Sequence, residues 1–436
     1  MATITINLDL PPDVTVTGYE RYSHGHGFKV SYPLPSRCRC ERCRHEENTQ
    51  FEYKNGFQVV RDLDLWGQPS FWIHQPVYHR CSNCTHRQHL IPPFKRKDVS
   101  YTYRFEKHVL SLLIGSNEEE VGRRLGISAE MVEFIVHNQL ADAQSKKIDP
   151  KRVITDVGID ELSLKKRHKL YVTILTDLTD AEHPEVLAVA EGRDEAAGRK
   201  CLEKLSLKQR QGVRTYRADM GKAFHNACHG LLPNAKAVVD RFHVAKNFNE
   251  AIDKQRKAIT REYKANLSKA ERKAFRSLMW EFRRNPKERT EEDKQKLEKL
   301  FEKLPRLRIL HQFRVRFQEI FDTAPNRKQA YQALLPLFDE MVENFPDLGS
   351  FVVTFGTWEE EILNYFDDRQ TSAAVEGINN KARVIIKRCY GLKSADSLWT
   401  RMVLDLNRAK EIASYTIAQI REFVEGFRYC FSPVCT

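Results

Sequence analysis

The sequence contains no long apolar run of the kind that forms a signal peptide or crosses a bilayer. We therefore expect a cytoplasmic protein without a membrane partner. Its ten cysteines among 436 residues are too few for the disulfide framework of a small secreted domain, so we expect reduced thiols. A chain of this length is too long to fold around one small hydrophobic core, so roughly two to four domains are expected.

The chain is also short of negative charge. Lys and Arg together number 71 against 59 Asp and Glu, which gives a formal net charge of +12. Such an excess suits a polyanionic partner such as nucleic acid. Charge alone fits a ribosome-associated or membrane-surface protein equally well, so the partner must be inferred from motifs.

Four of the cysteines form two C-x-x-C pairs, Cys40/Cys43 and Cys81/Cys84. Two such turns complete the tetrahedral thiolate set that structural zinc prefers, and strand-like residues between them predict a zinc ribbon. Cys38 leaves the ligand at Cys40 open, and a histidine can replace one sulfur; the candidates are His79, His86 and His89. The alternative is that the four cysteines are separate buried thiols, but this would not explain why they occur as two regularly spaced pairs.

A helical stretch follows the ribbon. A glycine breaks it, and Ser128 can cap a second helix, so the pattern predicts a helix-turn-helix. Its second helix is expected to lie in a major groove of DNA, with Arg123 and Arg124 near phosphates. Glu130 and Glu133 on the second helix oppose that role, and a plain helical hairpin between two domains is the alternative.

From residue 152 the pattern changes to alternating strands. Three hairpin-linked strands are predicted at residues 153–162, 170–176 and 185–190, followed by helix and strand units with strands at 213–218 and 235–239. Antiparallel hairpins followed by such units predict a mixed α/β sheet of the ribonuclease H-like kind. A long charged helical block then interrupts the chain and is interpreted as an insertion.

Three acidic residues are candidates for one site. Asp160 lies among apolar residues of the first strand, and Asp219 follows a later strand at the edge where α/β sheets bind their ligands. Glu376 begins a polar stripe on a late helix. An acid at a strand end is more often a cap or an ion-pair partner, so Asp156 competes for the first role and Asp240 for the second.

The late helix separates polar from apolar side chains. The polar stripe continues from Glu376 towards cations, along which a DNA backbone can run; its members are Asn379, Asn380, Arg383 and Lys387. The neighbouring apolar stripe comprises Val375, Ile378, Ala382, Ile385 and Cys389. This helix is expected to pack on the sheet.

Three carboxylates that converge repel one another unless divalent metal neutralises them. We expect two Mg²⁺ (or Mn²⁺) ions per active site, roughly 3.5–4 Å apart, which activate water or a 3′-hydroxyl for phosphoryl displacement. The predicted chemistry is metal-dependent cleavage of DNA.

Several segments resemble the ISL-three family of bacterial insertion-sequence transposases, over nearly the whole chain. They are Gly158-Ile159-Asp160-Glu161, Ala218-Asp219-Met220, Val239-Asp240-Arg241-Phe242-His243 with the preceding Pro233-Asn234-Ala235, and Glu376-Gly377-Ile378-Asn379-Asn380-Lys381. The resemblance implies the DDE class, with Asp160, Asp219 and Glu376 as catalytic metal ligands. Asp240 and His243 match a further motif, expected to shape the site or order the last helix.

The resemblance also implies a domain organisation. A zinc-ribbon DNA-binding domain is expected at residues 1–98, a helix-turn-helix at 99–150, and a ribonuclease H-like catalytic core at 151–245 and 350–436, with a helical insertion at 246–349. The residues expected to contact DNA are Arg123, Arg124, Asn380, Lys381, Arg383, Lys387 and Arg388.

The function implied is a DNA transposase of the bacterial nucleoid. It is expected to bind the terminal inverted repeats of its element, cleave them and join them to target DNA. Joining two ends requires at least a dimer. The alternatives are a DNA-binding regulator that has lost catalysis and a zinc-ribbon RNA-binding protein, and only the transposase is expected to nick DNA in Mg²⁺.

Overall fold

The computed structural model describes residues 10–11, 13–145, 148–165, 170–265, 289–369, 373–392 and 394–407, together with 267–269, 272, 275, 282 and 284. The chain divides into two compact units between Ser145 and Lys146. Part of the predicted insertion, and residues 408–436 of the predicted core, lie outside the described residues.

The first unit begins with short β-strands. They are β1 (Thr15–Tyr22), β2 (Gly25–Ser31), β3 (Arg37–Arg39), β4 (Glu46–Asn48), β5 (Phe51–Tyr53), β6 (Gln58–Leu65), β7 (Gln68–His74), β8 (Val77–Arg80) and β9 (Arg87–Leu90). They form a four-stranded sheet in the order β1-β2-β7-β6, a three-stranded sheet in the order β5-β8-β9 and the pair β3-β4. Trp72 and Phe94 are buried against the larger sheet with their ring centroids 5.0 Å apart.

In the described part of the first unit, three helices follow the strands: α1 (Tyr103–Leu113), α2 (Glu118–Leu125) and α3 (Ala129–Ser145). Gly126 ends α2 with a φ of 65°, a left-handed conformation that glycine adopts without strain. Ser128 then caps α3, because its hydroxyl accepts a hydrogen bond from the Met131 amide at 3.2 Å. The two predicted helices and their tight turn are therefore present.

The second unit is built on a five-stranded mixed sheet. Its elements in chain order are β10 (Asp156–Lys165), β11 (Leu170–Asp177), β12 (Glu185–Glu191), α4 (Glu195–Leu202), α5 (Leu207–Gly212), β13 (Thr215–Ala218), α6 (Lys222–Leu231) and β14 (Lys236–Val239). The strand order is β12-β11-β10-β13-β14. β10, β11 and β12 pair antiparallel, whereas β10, β13 and β14 pair parallel.

The first strand of this sheet starts later than expected. Val153, predicted to begin it, precedes β10 and is 72% exposed. Within β10 the side chains alternate between the two faces of the sheet. Val157 and Ile159 belong to the core shared with α4 and α6, whereas Leu162 and Leu164 pack on the opposite face. Even-numbered residues, including Asp160, thus share that opposite face.

The remaining elements of the second unit are helical. They are α7 (Arg241–Ala265), α8 (Glu291–Lys303), α9 (Pro305–Thr323), α10 (Arg327–Asn344), a 3₁₀ turn (Pro346–Leu348), α11 (Gly349–Thr357), α12 (Glu359–Leu363), α13 (Tyr365–Asp368), α14 (Ala373–Arg388), α15 (Ala395–Met402) and a π-helical turn (Val403–Asn407). Phe248, Phe317 and Phe351 lie at the centre of the α7–α13 core, with the first two rings stacked at 4.0 Å. None of the described helices is both long and apolar enough to cross a membrane.

A glycine lets α14 approach the sheet closely. A β-carbon at Gly158 of β10 would lie 2.4 Å from Cγ2 of Val375 and 3.1 Å from Leu178. Val375, Ile378, Ala382 and Ile385 are buried, as the apolar stripe predicted. The backbone of β10 therefore lies directly under the first turn of α14.

We expect Gly158→Ala to destabilise the second unit by about 1–3 kcal/mol, because Val375 is β-branched and has few rotamers with which to avoid the added methyl group. Urea unfolding measures the effect. Gly377→Ala in α14 is the matched control. A β-carbon there meets nothing within 4 Å, so it should leave stability unchanged or raise it by up to about 1 kcal/mol. Equal stability of the two variants would contradict the close-approach explanation.

Candidate active site

The three predicted acids line one cavity of the second unit. Its volume is about 450 Å³, and Asp160, Asp219 and Glu376 all contribute to its wall. β10 and β13 run parallel with Gly158 opposite Arg217. Continuing this register by two residues places Asp219, which directly follows β13, beside Asp160 of β10. Glu376 comes from the first turn of α14.

Asp160 is held by two hydrogen bonds. Its Oδ1 accepts from the Glu161 amide at 2.7 Å, and its Oδ2 accepts from Nδ2 of Asn379 at 2.5 Å. Burial raises the pKa of Asp160 to about 6, and the charge of Asp219 adds to this shift, while the Glu161 amide and His243 oppose it. The cavity thus makes the ionised form of Asp160 costly unless a cation enters.

Asp219 carries an unsatisfied oxygen. Its Oδ1 is buried and has no hydrogen-bond partner within the described part of the chain. A buried acceptor without a hydrogen-bond partner costs free energy, and a bound cation would satisfy it. Asp219 follows β13 directly, and a β-carbon at Gly221 would lie 2.8 Å from this oxygen, so the turn keeps the space beside it narrow.

Glu376 differs from the other two acids because it is exposed. Among the described residues, the three carboxylates are not a set whose ligand atoms all lie within 4.8 Å of one another. The acids therefore surround the cavity and leave room between them. Three carboxylates spaced in this way suit a hard divalent cation that keeps several water ligands, as Mg²⁺ does.

The two competing acids have other structural roles. Asp156 accepts a hydrogen bond from Thr155 at 2.8 Å and lies 3.8 Å from Arg217. Asp240 lines the cavity, but its Oδ1 accepts from the Phe242 amide at 2.9 Å and its carbonyl accepts from the His243 amide, so it caps α7.

Basic side chains also line the cavity. They are Arg217, His243, Lys246 and Arg383. Arg217 and Lys246 were not singled out from the sequence. Lys246 falls three residues after His243 in α7, so helical spacing from the Asp240 motif could have identified it. Asn379 was placed only on the polar stripe, yet it is buried and contacts Asp160 directly.

The expected DNA contacts have different surroundings. Arg383 donates a hydrogen bond to Asn380 at 2.7 Å, whereas Arg388 pairs with Asp405 at 2.6 Å. Lys381 and Lys387 are exposed. In the first unit, both Arg123 and Arg124 pair with Glu120, and these pairs are largely exposed.

The two C-x-x-C turns of the first unit bring four thiols together. Cys40, Cys43, Cys81 and Cys84 have sulfur atoms within 4.8 Å of one another. Cys40 lies 3.6 Å from Cys84, and Cys43 lies 3.6 Å from Cys81. Cys38 is outside this group, and its sulfur instead lies 3.0 Å from Nε2 of Gln88.

The two turns share one backbone geometry. The Cys40 amide donates to the His45 carbonyl and the Cys81 amide to the His86 carbonyl. Arg44 and Thr85 occupy the same left-handed conformation, with φ of 64° and 54°. The repeated geometry aims two sulfurs from each turn at one point, which is compatible with a tetrahedral zinc site.

The raised pKa of Asp160 predicts a pH-dependent effect on stability. Without metal, the contribution of Asp160 to stability should fall as the pH rises from about 4 through 6, because the folded state then carries the penalised carboxylate. Asp160→Asn should be more stable than wild type above pH 6 by about 1–3 kcal/mol, and the difference should vanish near pH 4. Urea unfolding in a chelating buffer measures it. The exposed Glu376→Gln is the control, and a gain that is the same at every pH would contradict the titration.

Comparisons with known proteins identify the family. A family model for transposases of the ISL-three (ISL3) type, described as "Transposase", matches residues 157–402. The "Transposase for insertion sequence element IS1557" of Mycobacterium tuberculosis is 23% identical over 418 residues, 89% of this chain and 91% of the relative. The "Transposase for insertion sequence element IS1001" of Bordetella parapertussis is 24% identical over 304 residues, 69% of this chain and 72% of the relative. Because the family model covers more than half of the sequence, the chain belongs to the ISL-three family of insertion-sequence transposases.

Proposed function

We propose that this transposase binds the terminal inverted repeats of its element, cleaves them and joins them to target DNA by metal-dependent phosphoryl transfer. The observation that carries the proposal is the convergence of Asp160, Asp219 and Glu376 on one cavity. The order and directions of the strands around it support a ribonuclease H-like core.

The three carboxylates are proposed to hold two Mg²⁺ or Mn²⁺ ions. The unsatisfied Oδ1 of Asp219 and the raised pKa of Asp160 are both consistent with a site that binds cations. When bound, the ions supply Lewis acidity for an attacking water or 3′-hydroxyl and for the leaving oxygen. Asn379 orients the Asp160 carboxylate by donating a hydrogen bond to Oδ2, and the Glu161 amide holds Oδ1.

The basic side chains around the cavity are proposed to receive the DNA backbone. Lys246 and Arg383 lie on the same cavity as the acids, so a phosphodiester there would be attracted by them, and His243 lies beside them. Asn380, Lys381 and Lys387 extend this path along α14, whereas Arg388 would have to leave Asp405 to join it.

The first unit is proposed to recognise the element ends. We assign structural Zn²⁺ to Cys40, Cys43, Cys81 and Cys84, and α2 and α3 to a DNA-binding helix-turn-helix. Arg123 and Arg124 reach phosphates in this proposal by exchanging their exposed pairs with Glu120, which contribute little in water.

The remaining assignments belong to the same proposal. The domains are a zinc ribbon (1–98), a helix-turn-helix (99–150), a catalytic core (151–245 and 350–436) and a helical insertion (246–349). Joining two ends in one reaction requires at least two DNA-binding units, so we propose a dimer or larger assembly on the DNA of the bacterial nucleoid.

Isosteric replacement of the acids tests the catalytic proposal. Asp160→Asn, Asp219→Asn and Glu376→Gln remove metal-binding charge, so each should abolish cleavage and strand transfer while binding to element ends persists. Combining two of them should cost little more than one, because the acids serve one site. The assay is cleavage of end-containing DNA in Mg²⁺ at matched protein occupancy.

Asp156→Asn and Asp240→Asn are the matched controls and should retain more activity, because these acids accept hydrogen bonds elsewhere. An inactive Asp240→Asn together with a fully active Glu376→Gln would overturn the assignment. Tight end binding without any nicking by wild type would favour a regulator that lacks catalysis.

The zinc assignment predicts a difference between neighbouring cysteines. Cys43→Ser should lose one equivalent of zinc and unfold the ribbon, because binding energy at such sites is folding energy. Cys38→Ser should keep that equivalent, since its sulfur lies outside the four-thiol group. Metal content and far-ultraviolet circular dichroism measure both effects, and equal zinc in the two variants would contradict the assignment.

A further inference from the structure

Three other side chains that can bind metal meet in the second unit, and none of them lines the acid cavity. They are His225, His229 and Glu361, whose ligand atoms all lie within 4.8 Å of one another. The two histidines are four residues apart in α6, which places them on one helical face. Glu361 comes from α12.

A hydrogen bond fixes the tautomer of His225. Its Nε2 lies 3.0 Å from the backbone carbonyl oxygen of Asp219. A carbonyl oxygen can only accept, so Nε2 carries the proton and Nδ1 presents a lone pair. Histidines that bind metal commonly donate their second ring N–H to a carbonyl in this way.

The charges of the group suit a divalent ion. Burial lowers the pKa of His225, which keeps the ring in the neutral form that binds metal, although Glu361 opposes the shift. The carboxylate of Glu361 forms no side-chain hydrogen bond or ion pair with any described residue. Its carboxylate therefore faces two imidazoles without another partner in the described part of the chain.

Tyr216 lies between the two histidines. Its hydroxyl is 3.0 Å from Nδ1 of His225 and 3.4 Å from Nε2 of His229. Burial raises the pKa of Tyr216, so the phenol keeps its proton and donates to Nδ1. An ion at Nδ1 must displace this hydrogen bond. The ring of Trp358 packs against His225, with the two ring centroids 4.5 Å apart.

We propose that His225, His229 and Glu361 bind one divalent ion of the Zn²⁺ type. Two imidazoles and a carboxylate are ligands that zinc accepts at about 2.0–2.2 Å, which sets the ligand atoms roughly 3.3 Å apart. The exposed His229 and the half-buried Glu361 can close the remaining distance. The ion links α6 to α12 and, through His225, holds the backbone at Asp219.

Cobalt titration of the full-length, chelator-stripped protein tests the site. Thiolate ligands give Co²⁺ an intense charge-transfer absorption, whereas a histidine and carboxylate site gives only d–d bands. In excess Mg²⁺, which fills the proposed acid site, we expect two tightly bound equivalents of Co²⁺, of which the second has no thiolate band. His229→Ala and Glu361→Gln should each lose the second equivalent and keep the first, and the exposed neighbour variant Glu360→Gln should keep both.

The four-thiol site provides an independent control in the same titration. Cys43→Ser should lose the thiolate band and keep the histidine-type equivalent, so failure of the zinc ribbon and failure of this site are distinguishable. Tyr216→Phe should bind the second Co²⁺ as tightly as wild type or up to about tenfold more tightly, because a competing hydrogen bond is removed.

Two results would overturn the proposal. One is equal cobalt stoichiometry with unchanged spectra in wild type, His229→Ala and Glu361→Gln. The other is loss of the second equivalent in folded Tyr216→Phe, which would make the phenol a ligand and contradict the assignment of Nδ1 as the atom it competes for. Thermal unfolding with and without Zn²⁺ checks that each variant is folded, and wild type should gain more stability from Zn²⁺ than His229→Ala.

Discussion

Burial of charge is the constraint on which the site depends. Burial raises the pKa of Asp160 to about 6, and the charge of Asp219, which directly follows the neighbouring strand β13, adds to the shift. The protein compensates only in part, through the Glu161 amide and Asn379. A fully compensated pair would have no need of a cation. The missing compensation, seen in the unsatisfied oxygen of Asp219, is what would favour a cation in the proposed metal site.

The fold keeps these charges together by short-range packing. Alternation along β10 directs Asp160 to the face that α14 covers, and Gly158 lets Val375 sit against that strand. The same helix then carries Asn379 to Asp160 and Glu376 to the cavity wall. Since one helix supplies both groups, a displacement of α14 would disturb the third acid and the support of the first at once.

Periodicity and spacing could predict much of this from the sequence. The strands and the apolar stripe of α14 follow from the spacing of apolar residues along the chain. The cluster of four cysteines follows from the two C-x-x-C motifs. Contacts that depend on tertiary packing could not be predicted. Asn379 belongs to a polar stripe by spacing, yet it is buried, and Arg388 continues that stripe but turns to Asp405. Val153 is apolar enough for a strand but lies where no neighbour pairs with it, so it stays outside β10.

The distribution of charge suggests how the site can bind a polyanion despite its acids. The acids and the cations Lys246 and Arg383 line one cavity, so the field changes sign over a short distance. A phosphodiester is repelled by bare carboxylates and attracted by the cations, and metal at the acids would remove the repulsion. Because α14 carries both Glu376 and Arg383, the position of a phosphate on the cations fixes its position relative to the acids. In this arrangement DNA binding and metal binding favour each other through electrostatics alone.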